Sequence, residues 1–336
     1  MKPKNHFKKW TKEEEKIWQV GSGDKTRDYS RFCLDYGIAI VGPEDPWGNN
    51  LKKIHVGEIV LLRRGKTKII AVGIVRKSHD TSESLNDVHG WGLNHFITLK
   101  WYVNKDKPYI KLPSALIGYS TMSCIDKNRN KIKEIINNTN LVEYNSQKKI
   151  SNLKIPKKIT ENDIQNHLIN AGIRISDAQN ITNTIARIIT LVEWYIKNDP
   201  DVLELELRTF LVIPFLLSLG WSEQKIKIEY NNIDIALFSK PFQKKSKSQP
   251  QIIIETKSFS DGLSLAKEQS EKYAKNYPDC KKMITTNGFR YSTFEKDRDI
   301  FKQTSYINLL DLREFDYINN DIGGALKSLL LISNFK

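Results

Sequence analysis

Two apolar runs carry the residues best suited to chemistry: Ile233-Asp234-Ile235-Ala236-Leu237-Phe238 and, after a polar loop, Ile252-Ile253-Ile254-Glu255-Thr256-Lys257. Side chains alternate faces along a strand, so Glu255 and Lys257 project together while Ile254 and Thr256 take the other side. If the first run pairs with the second, Asp234 joins them. Two carboxylates and a backbone carbonyl suit Mg²⁺, which takes oxygen ligands and keeps several waters. Lys257 would then orient or deprotonate an attacking water, which is the chemistry of a metal-dependent nuclease. An acidic residue followed by Glu-x-Lys also arises as solvated charge on a hairpin. Here both runs read as buried strands, where charges are rare unless paired or metal-bound.

The elements that must hold these residues belong to a chain of 336 residues, long enough for two domains with separate cores. Its net charge of +14 is unevenly placed. Residues 1 to 160 carry 30 Lys/Arg against 16 Asp/Glu, and residues 161 to 336 carry 23 of each. A basic half beside a neutral half predicts one domain that holds a polyanion and another that does something else. The three cysteines, Cys33, Cys124 and Cys280, form no C-x-x-C pair. This spacing argues against a disulfide framework and a cysteine zinc site, and a reducing cytoplasm is expected. No apolar run approaches the roughly 20 residues of a membrane span, and the charged N-terminus lacks the apolar core of a signal peptide.

Four segments follow from composition: a basic polar arm at 1–16, a β-rich domain at 17–125, an Asn/Lys-rich linker at 126–159 and a helical then mixed domain at 160–336. Short β runs at Ile17 to Val20, Gly37 to Val41, Glu58 to Leu62, Lys68 to Val75 and Phe96 to Val103 predict a small barrel. Within the linker, Ile132, Ile135 and Ile136 make a weak amphipathic turn. From Thr160 the pattern turns helical. Thr160 to Asp163 reads as a capping box with Asp in place of Glu, and Ser176 or Asp177 is placed to cap a second helix running through Lys197. A third helix is expected from Pro200 to a C-cap at Gly220. Strands near 225–230, at Asp234 and at Glu255, a helix from Leu263 to Asn276 and a strand Lys281 to Thr286 complete an α-β-β-β-α-β order. The turn Asn287-Gly288 leads into Phe289 to Phe294. That order predicts helices packed on a mixed sheet.

Glu204 to Arg208, Pro214, Leu219-Gly220-Trp221, Ile233-Asp234, Ile254 to Lys257 and Thr286-Asn287-Gly288 together resemble the PD-(D/E)xK nuclease domain found at the N-terminus of type I restriction R subunits. The resemblance covers roughly residues 195 to 315. It implies that Asp234, Glu255 and the Thr256 backbone bind Mg²⁺ and that Lys257 is the catalytic lysine. A carboxylate from the preceding helix completes many such sites; Glu204 fits best and Glu206 is the alternative. Gln269 and Tyr273, four apart on one helical face, resemble the family's Q-x-x-x-Y element, and a solvated pair explains them as well. Type I subunits append an ATP-driven translocase, which has no counterpart here. Gly65-Lys66-Thr67 ends like a P-loop, yet Val60 stands where its first glycine belongs. Gly21-Ser22-Gly23 is too short for a dinucleotide fingerprint.

In the first half, Trp18 to Ser22, Tyr36 to Ile40, Trp47 to Leu51, Val56 to Val60 and Ala71 to Val75 resemble the EVE branch of PUA-like barrels over roughly residues 15 to 120. Such domains hold a flipped modified base, which recovers its lost stacking on aromatic faces and is read at its edge. The resemblance implies a pocket drawn from Trp18, Trp47 and Trp91, with Ser22 and Asp24 as polar readers. Trp47 and Trp91 look loop-borne, whereas Trp101, on an alternating strand, reads as core. His79, His89 and His95 match no metal motif and read as polar loop residues or phosphate contacts. Lys52, Lys53, Arg63, Arg64, Arg76 and Lys77 are placed for phosphates, contacts that position a protein without reading sequence.

The expectation is a modification-dependent, type IV-like restriction endonuclease. It would use Mg²⁺ on double-stranded DNA bearing a modified base, modified cytosine first, and would act as a homodimer at least on DNA. A non-catalytic reader and a nuclease for modified RNA are the alternatives.

Overall fold

The structure is a computed structural model, which describes residues 16–23, 27–43, 47–113, 116–118, 120–244 and 248–335. Of Trp47, Ser264 and Leu265 it describes the backbone alone. The arm at 1–16 therefore lies outside the described residues except for Lys16. The chain is mixed α/β with two sheets and divides into two units, Met1–Ile155 and Pro156–Lys336.

The first unit comprises β1 (Ile17–Gly21), α1 (Ser30–Tyr36), β2 (Ile38–Val41), α2 (Trp47–Leu51), β3 (Ile59–Arg64), β4 (Lys68–Thr81), β5 (His95–Asn104), β6 (Ile110–Lys111), β7 (Met122–Cys124), α3 (Arg129–Asn137) and β8 (Leu141–Glu143). Its sheet runs β2-β5-β4-β3-β1-β7, with β6 on β4 and β8 on β5. The sheet curls into a half-barrel, and among the described residues its end strands β2 and β7 do not pair. The five strands read from the sequence all form. Gly73 is needed where it stands, because a Cβ there would lie 2.6 Å from the Trp101 ring in the paired strand. Trp101 is fully buried and donates its indole N–H to the Cys33 carbonyl at 3.0 Å, as its alternating strand predicts.

The expected linker is also corrected. Ile132 and Ile136 of α3 are buried in one core with Ile17, Ile59 and Leu61, and β8 extends the sheet through Tyr102–Glu143. A helix needs only one apolar stripe to dock, and Ile132, Ile135 and Ile136, read from the sequence as a weak amphipathic turn, supply it.

The second unit begins with α4 (Glu161–Asn170), and the expected capping box is present: Asp163 N–H bonds the Thr160 hydroxyl at 3.2 Å while the Asp163 carboxylate accepts from Thr160 N–H at 2.8 Å. The long helix α5 (Ile175–Asn198) starts before Ser176 and Asp177, which sit in its first turn rather than at its cap. Next come α6 (Glu204–Leu207), a π-helical stretch Arg208–Val212 and α7 (Ile213–Ser218). This helix starts four residues beyond Pro200. Its end is as expected: Gly220 has φ 84°, its N–H bonds Leu217 O, and Trp221 N–H bonds Leu216 O, the two bonds of a Schellman turn.

The π-helical stretch has a local cause. Pro214 has no N–H to offer the Phe210 carbonyl four residues back, and Arg187 of α5 donates to that carbonyl instead, at 3.0 Å. The chain widens to a five-residue step, with Ile213 N–H on Arg208 O.

The sheet consists of β9 (Ile226–Tyr230), β10 (Ile233–Leu237), β11 (Ile252–Thr256), β12 (Lys282–Thr286), β13 (Arg290–Asp297) and β14 (Ile300–Asn308), side by side in chain order. The helix α8 (Leu263–Ala274) connects β11 to β12, which are parallel, and the other pairs are antiparallel. Ile235, Leu237, Ile252, Ile254 and Ile284 share a core with α5, α7 and the final helix α9 (Ala325–Ile332). Ile253, Met283 and Phe294 pack with Ala274 of α8 on the opposite face. Near-continuous apolar strands suit a sheet covered on both sides. Among the described residues no helix is long and apolar enough to cross a membrane, and all three cysteines are free.

Candidate active site

The register of β10 with β11 pairs Ile235 with Ile254, so the next step places Asp234 opposite Glu255. The sequence thus brings its two strand carboxylates together at one end of two interior strands of the sheet. Asp234 Oδ2 accepts the Thr256 backbone N–H at 2.7 Å and the Thr256 hydroxyl at 2.8 Å. Lys257 Nζ stands 3.1 Å from Glu255 Oε1, and both residues are buried. The other Glu255 oxygen, Oε2, is buried without a hydrogen-bond partner. Burial is the largest influence on this carboxyl and lifts it to about 7; Asp234 pushes the same way, Lys257 opposes, and Glu204 adds to the rise.

Glu204 stands at the start of α6. Burial raises its carboxyl above the ordinary range, Lys257 opposes that, and Asp234 adds to it, so the helix carboxylate feels the strand pair. Glu206 adds to the burial that raises the Tyr195 hydroxyl.

Arg208 heads the π-helical stretch and was not a candidate from sequence. Its guanidinium hydrogen-bonds Glu229 and lies 3.4 Å from Asp234 Oδ1, while its Nε reaches the Glu204 carbonyl at 3.4 Å. Only 10% of its side chain is exposed. Its position four residues after Glu204 was the available signal, since residues so spaced share a helix face. Glu229 was likewise missed. It precedes the hairpin turn Asn231-Asn232, both at positive φ, which joins β9 to β10. Two central residues with positive φ make the type I′ turn that suits hairpins, and Asn tolerates it.

Gln269 lies half-buried on α8, and its Oε1 has no hydrogen-bond partner. The structure gives it no bond to Asp234, Glu255 or Lys257. Tyr273, one turn on, packs against the core on that face of the sheet. Ser270 and Thr285 are fully buried with unpartnered hydroxyls, and Thr285 is the register neighbour of Glu255.

These residues fit a divalent cation that binds oxygen. An orphaned buried carboxylate oxygen, two further carboxyls raised or crowded by their neighbours and no competing sulfur or imidazole make a hard donor set. Among the described residues no three His, Cys, Asp or Glu groups stand together in a set that could by itself hold a metal ion. Mg²⁺ is commonly held through one or two carboxylates and keeps several waters. Thr256, expected to offer its carbonyl, contributes its N–H and hydroxyl to Asp234.

The first unit corrects several expectations. Trp18 is 5% exposed and donates its indole N–H to Glu58 at 2.8 Å, so it belongs to the packed strand β1 rather than to an open pocket. Ser22 is fully buried with its hydroxyl on Arg63 O at 3.0 Å. Arg63 itself points inward and donates to the Gly65 and Ser120 carbonyls, which fixes a loop and removes it from the phosphate set. Alternation along β3 explains both: Arg63 takes the inner position and Arg64 the outer, where Arg64 pairs with Asp28 at 2.6 Å.

Trp91 is half-exposed with the Arg27 guanidinium 3.8 Å from its ring centroid, the arrangement of a stacked cation–π pair. Trp47 opens the short helix α2 rather than a loop, and its side chain lies outside the described residues, as does all of Asp24. Lys52, Lys53, Arg76 and Lys77 are exposed, as phosphate contacts must be. His79 and His95 lie in strands β4 and β5, not loops, with ring nitrogens 2.8 Å apart.

No protein-family model matches the chain, and no curated protein matches it.

Proposed function

We propose that this chain is a Mg²⁺-dependent endonuclease that cuts double-stranded DNA bearing a modified base, modified cytosine first among the candidates. The observation that carries the reading is the meeting of Asp234, Glu255 and Lys257 at one end of the neighbouring strands β10 and β11, with the raised carboxyl of Glu204 coupled to them. Buried charges survive only when paired or when they hold a ligand, and Glu255 Oε2 has no partner.

Asp234, Glu255 and, from the helix, Glu204 are the residues to hold the ion. When bound, Mg²⁺ supplies Lewis acidity at a phosphoryl oxygen and lowers the pKa of a coordinated water. Thr256 fixes the Asp234 carboxylate through two donors, so its orientation is set before any ligand arrives. Lys257 is held by Glu255, within reach of whatever Glu255 binds, where its ammonium can orient water or offset charge on a phosphate. Glu255 must be ionised to bind a cation, and its raised carboxyl makes that step depend on pH.

The first unit supplies the grip in this reading. Exposed Lys52, Lys53, Arg76 and Lys77 suit phosphates, and Trp91 keeps the one ring of the expected pocket that is both described and partly open. One such site cuts one strand, so two copies are expected on duplex DNA. The test is incubation of the purified chain with cytosine-modified and unmodified DNA and with RNA, in Mg²⁺, alongside Lys257→Ala. Absence of cleavage of every substrate overturns the nuclease, equal cutting of modified and unmodified DNA removes the modification requirement, and cutting of RNA alone transfers the activity to RNA.

A further inference from the structure

Asp234 has carboxylates on both flanks. On one side the register leads to Glu255; on the other, the pairs Ile233–Tyr230 and Ile235–Ile228 bracket Asp234 and Glu229 of β9. Like charges on neighbouring strands destabilise the pairing, and a cation between them offsets that. Arg208 is that cation. It hydrogen-bonds Glu229 and stands 3.4 Å from Asp234 Oδ1, and it is buried while Glu229 is 63% exposed. Glu229 also holds a φ of 54°, a backbone setting unfavourable to a residue with a Cβ.

A guanidinium fully paired with Asp234 would compete with any metal for the same oxygen. Arg208 is kept in place by the π-helical step and by its bond to the Glu204 carbonyl, so it cannot simply leave. Its charge can only be shared.

We propose that Glu229 is a positioning residue for the metal site: it draws Arg208 toward itself and leaves Asp234 Oδ1 open to a divalent cation. The inference rests on the nuclease reading above. Glu229 touches neither the ion nor the substrate; it acts through Arg208.

The experiment uses the full chain. Calorimetric titration with Mn²⁺ and Ca²⁺, without DNA, gives the metal Kd, and Mg²⁺ titration of plasmid cleavage gives half-saturation and kcat. Glu229→Gln is expected to raise the metal Kd and the Mg²⁺ half-saturation by about threefold, the scale of one partly exposed ion pair. Thermal unfolding and kcat at saturating Mg²⁺ stay at the parent values. Glu229→Lys, which repels Arg208 toward Asp234, raises the Kd further. In an Arg208→Gln background, Glu229→Gln has no effect on the Kd, because the coupling between the two residues is gone.

An unchanged Kd in both Glu229 variants overturns the proposal, as does the same Kd shift with and without Arg208. Should Arg208→Gln not fold, the comparison of Gln with Lys at position 229 decides alone. A parent chain that binds no Mn²⁺ and cuts nothing overturns the nuclease reading and this one together; a parent that binds and cuts while the Glu229 variants match it overturns this one only.

Discussion

Asp234 takes two hydrogen bonds from Thr256 on a single oxygen, from the backbone N–H at 2.7 Å and from the hydroxyl at 2.8 Å. The carboxylate is thereby clamped to the neighbouring strand, and its other oxygen is turned toward Arg208. Thr256→Val deletes one donor at nearly constant volume. A hydrogen bond to a charged group contributes roughly 1.5–3 kcal/mol, so cleavage is expected to fall by about tenfold or more, with Thr256→Ser restoring most of it. Asp234→Asn is expected to abolish cleavage. Initial rates on plasmid DNA check both; full activity in Thr256→Val would show that the clamp is dispensable.

Much of this second unit was legible in the sequence. The alternation around Glu255 placed Lys257 on its side of the strand, and the Thr160 box and the Gly220 cap were readable because short-range hydrogen bonds fix them. Arg208 and Glu229 were not, since their meeting depends on a π-helical step and a hairpin register, neither of which leaves a periodic pattern. In the first unit, Trp18 and Arg63 were misassigned for one reason. Residue type suggests a binding role, but β1 and most of β3 are buried on both faces, and such covering cannot be known until a strand's neighbours are.

The Glu255 carboxyl predicts how stability varies with pH. Its pKa in the folded chain, about 7, lies above the ordinary glutamate value of 4.5. The folded state therefore holds a proton that the unfolded state has released between those values, and the stability this contributes is present below pH 4.5 and lost as pH rises through 7. Melting temperatures without metal should fall across this window more steeply for the parent than for Glu255→Gln. Added Mg²⁺ should recover part of the loss at pH 8 by binding the ionised form. Parallel curves for parent and variant would refute the assignment.

Arg187 and Pro214 make a second, independent test of the helix that carries Glu204. Arg187→Ala leaves the Phe210 carbonyl without its side-chain donor and is expected to cost about 1 kcal/mol, read by urea unfolding. Pro214→Ala restores an N–H and lets the widened turn tighten. That change should reduce cleavage by more than it changes stability, because Arg208 begins the widened stretch. Unchanged cleavage in a Pro214→Ala protein of normal stability would show that the step is incidental to the site.

Within the first unit, two arginine and lysine classes should separate. Arg63→Ala is expected to lower stability by about 1–3 kcal/mol, as the loss of buried hydrogen bonds from a charged group does. Lys77→Ala should leave stability unchanged and weaken DNA binding alike on all sequences, reducing the slope of log affinity against log salt by about 1. Melting curves and salt titrations of binding distinguish them. A stability loss in Lys77→Ala, or normal stability in Arg63→Ala, would reverse these roles.

The hairpin between β10 and β11 turns back at the strand ends remote from Asp234 and Glu255, and Ser239, Lys240, Pro241, Gln243 and Lys244 there are exposed. The proposed catalytic residues and the chain reversal therefore occupy opposite ends of the same two strands. A tag or a foreign recognition module spliced into that reversal would sit one strand length from Asp234 and Glu255, which makes this loop the natural graft site for adding a module without covering the candidate site.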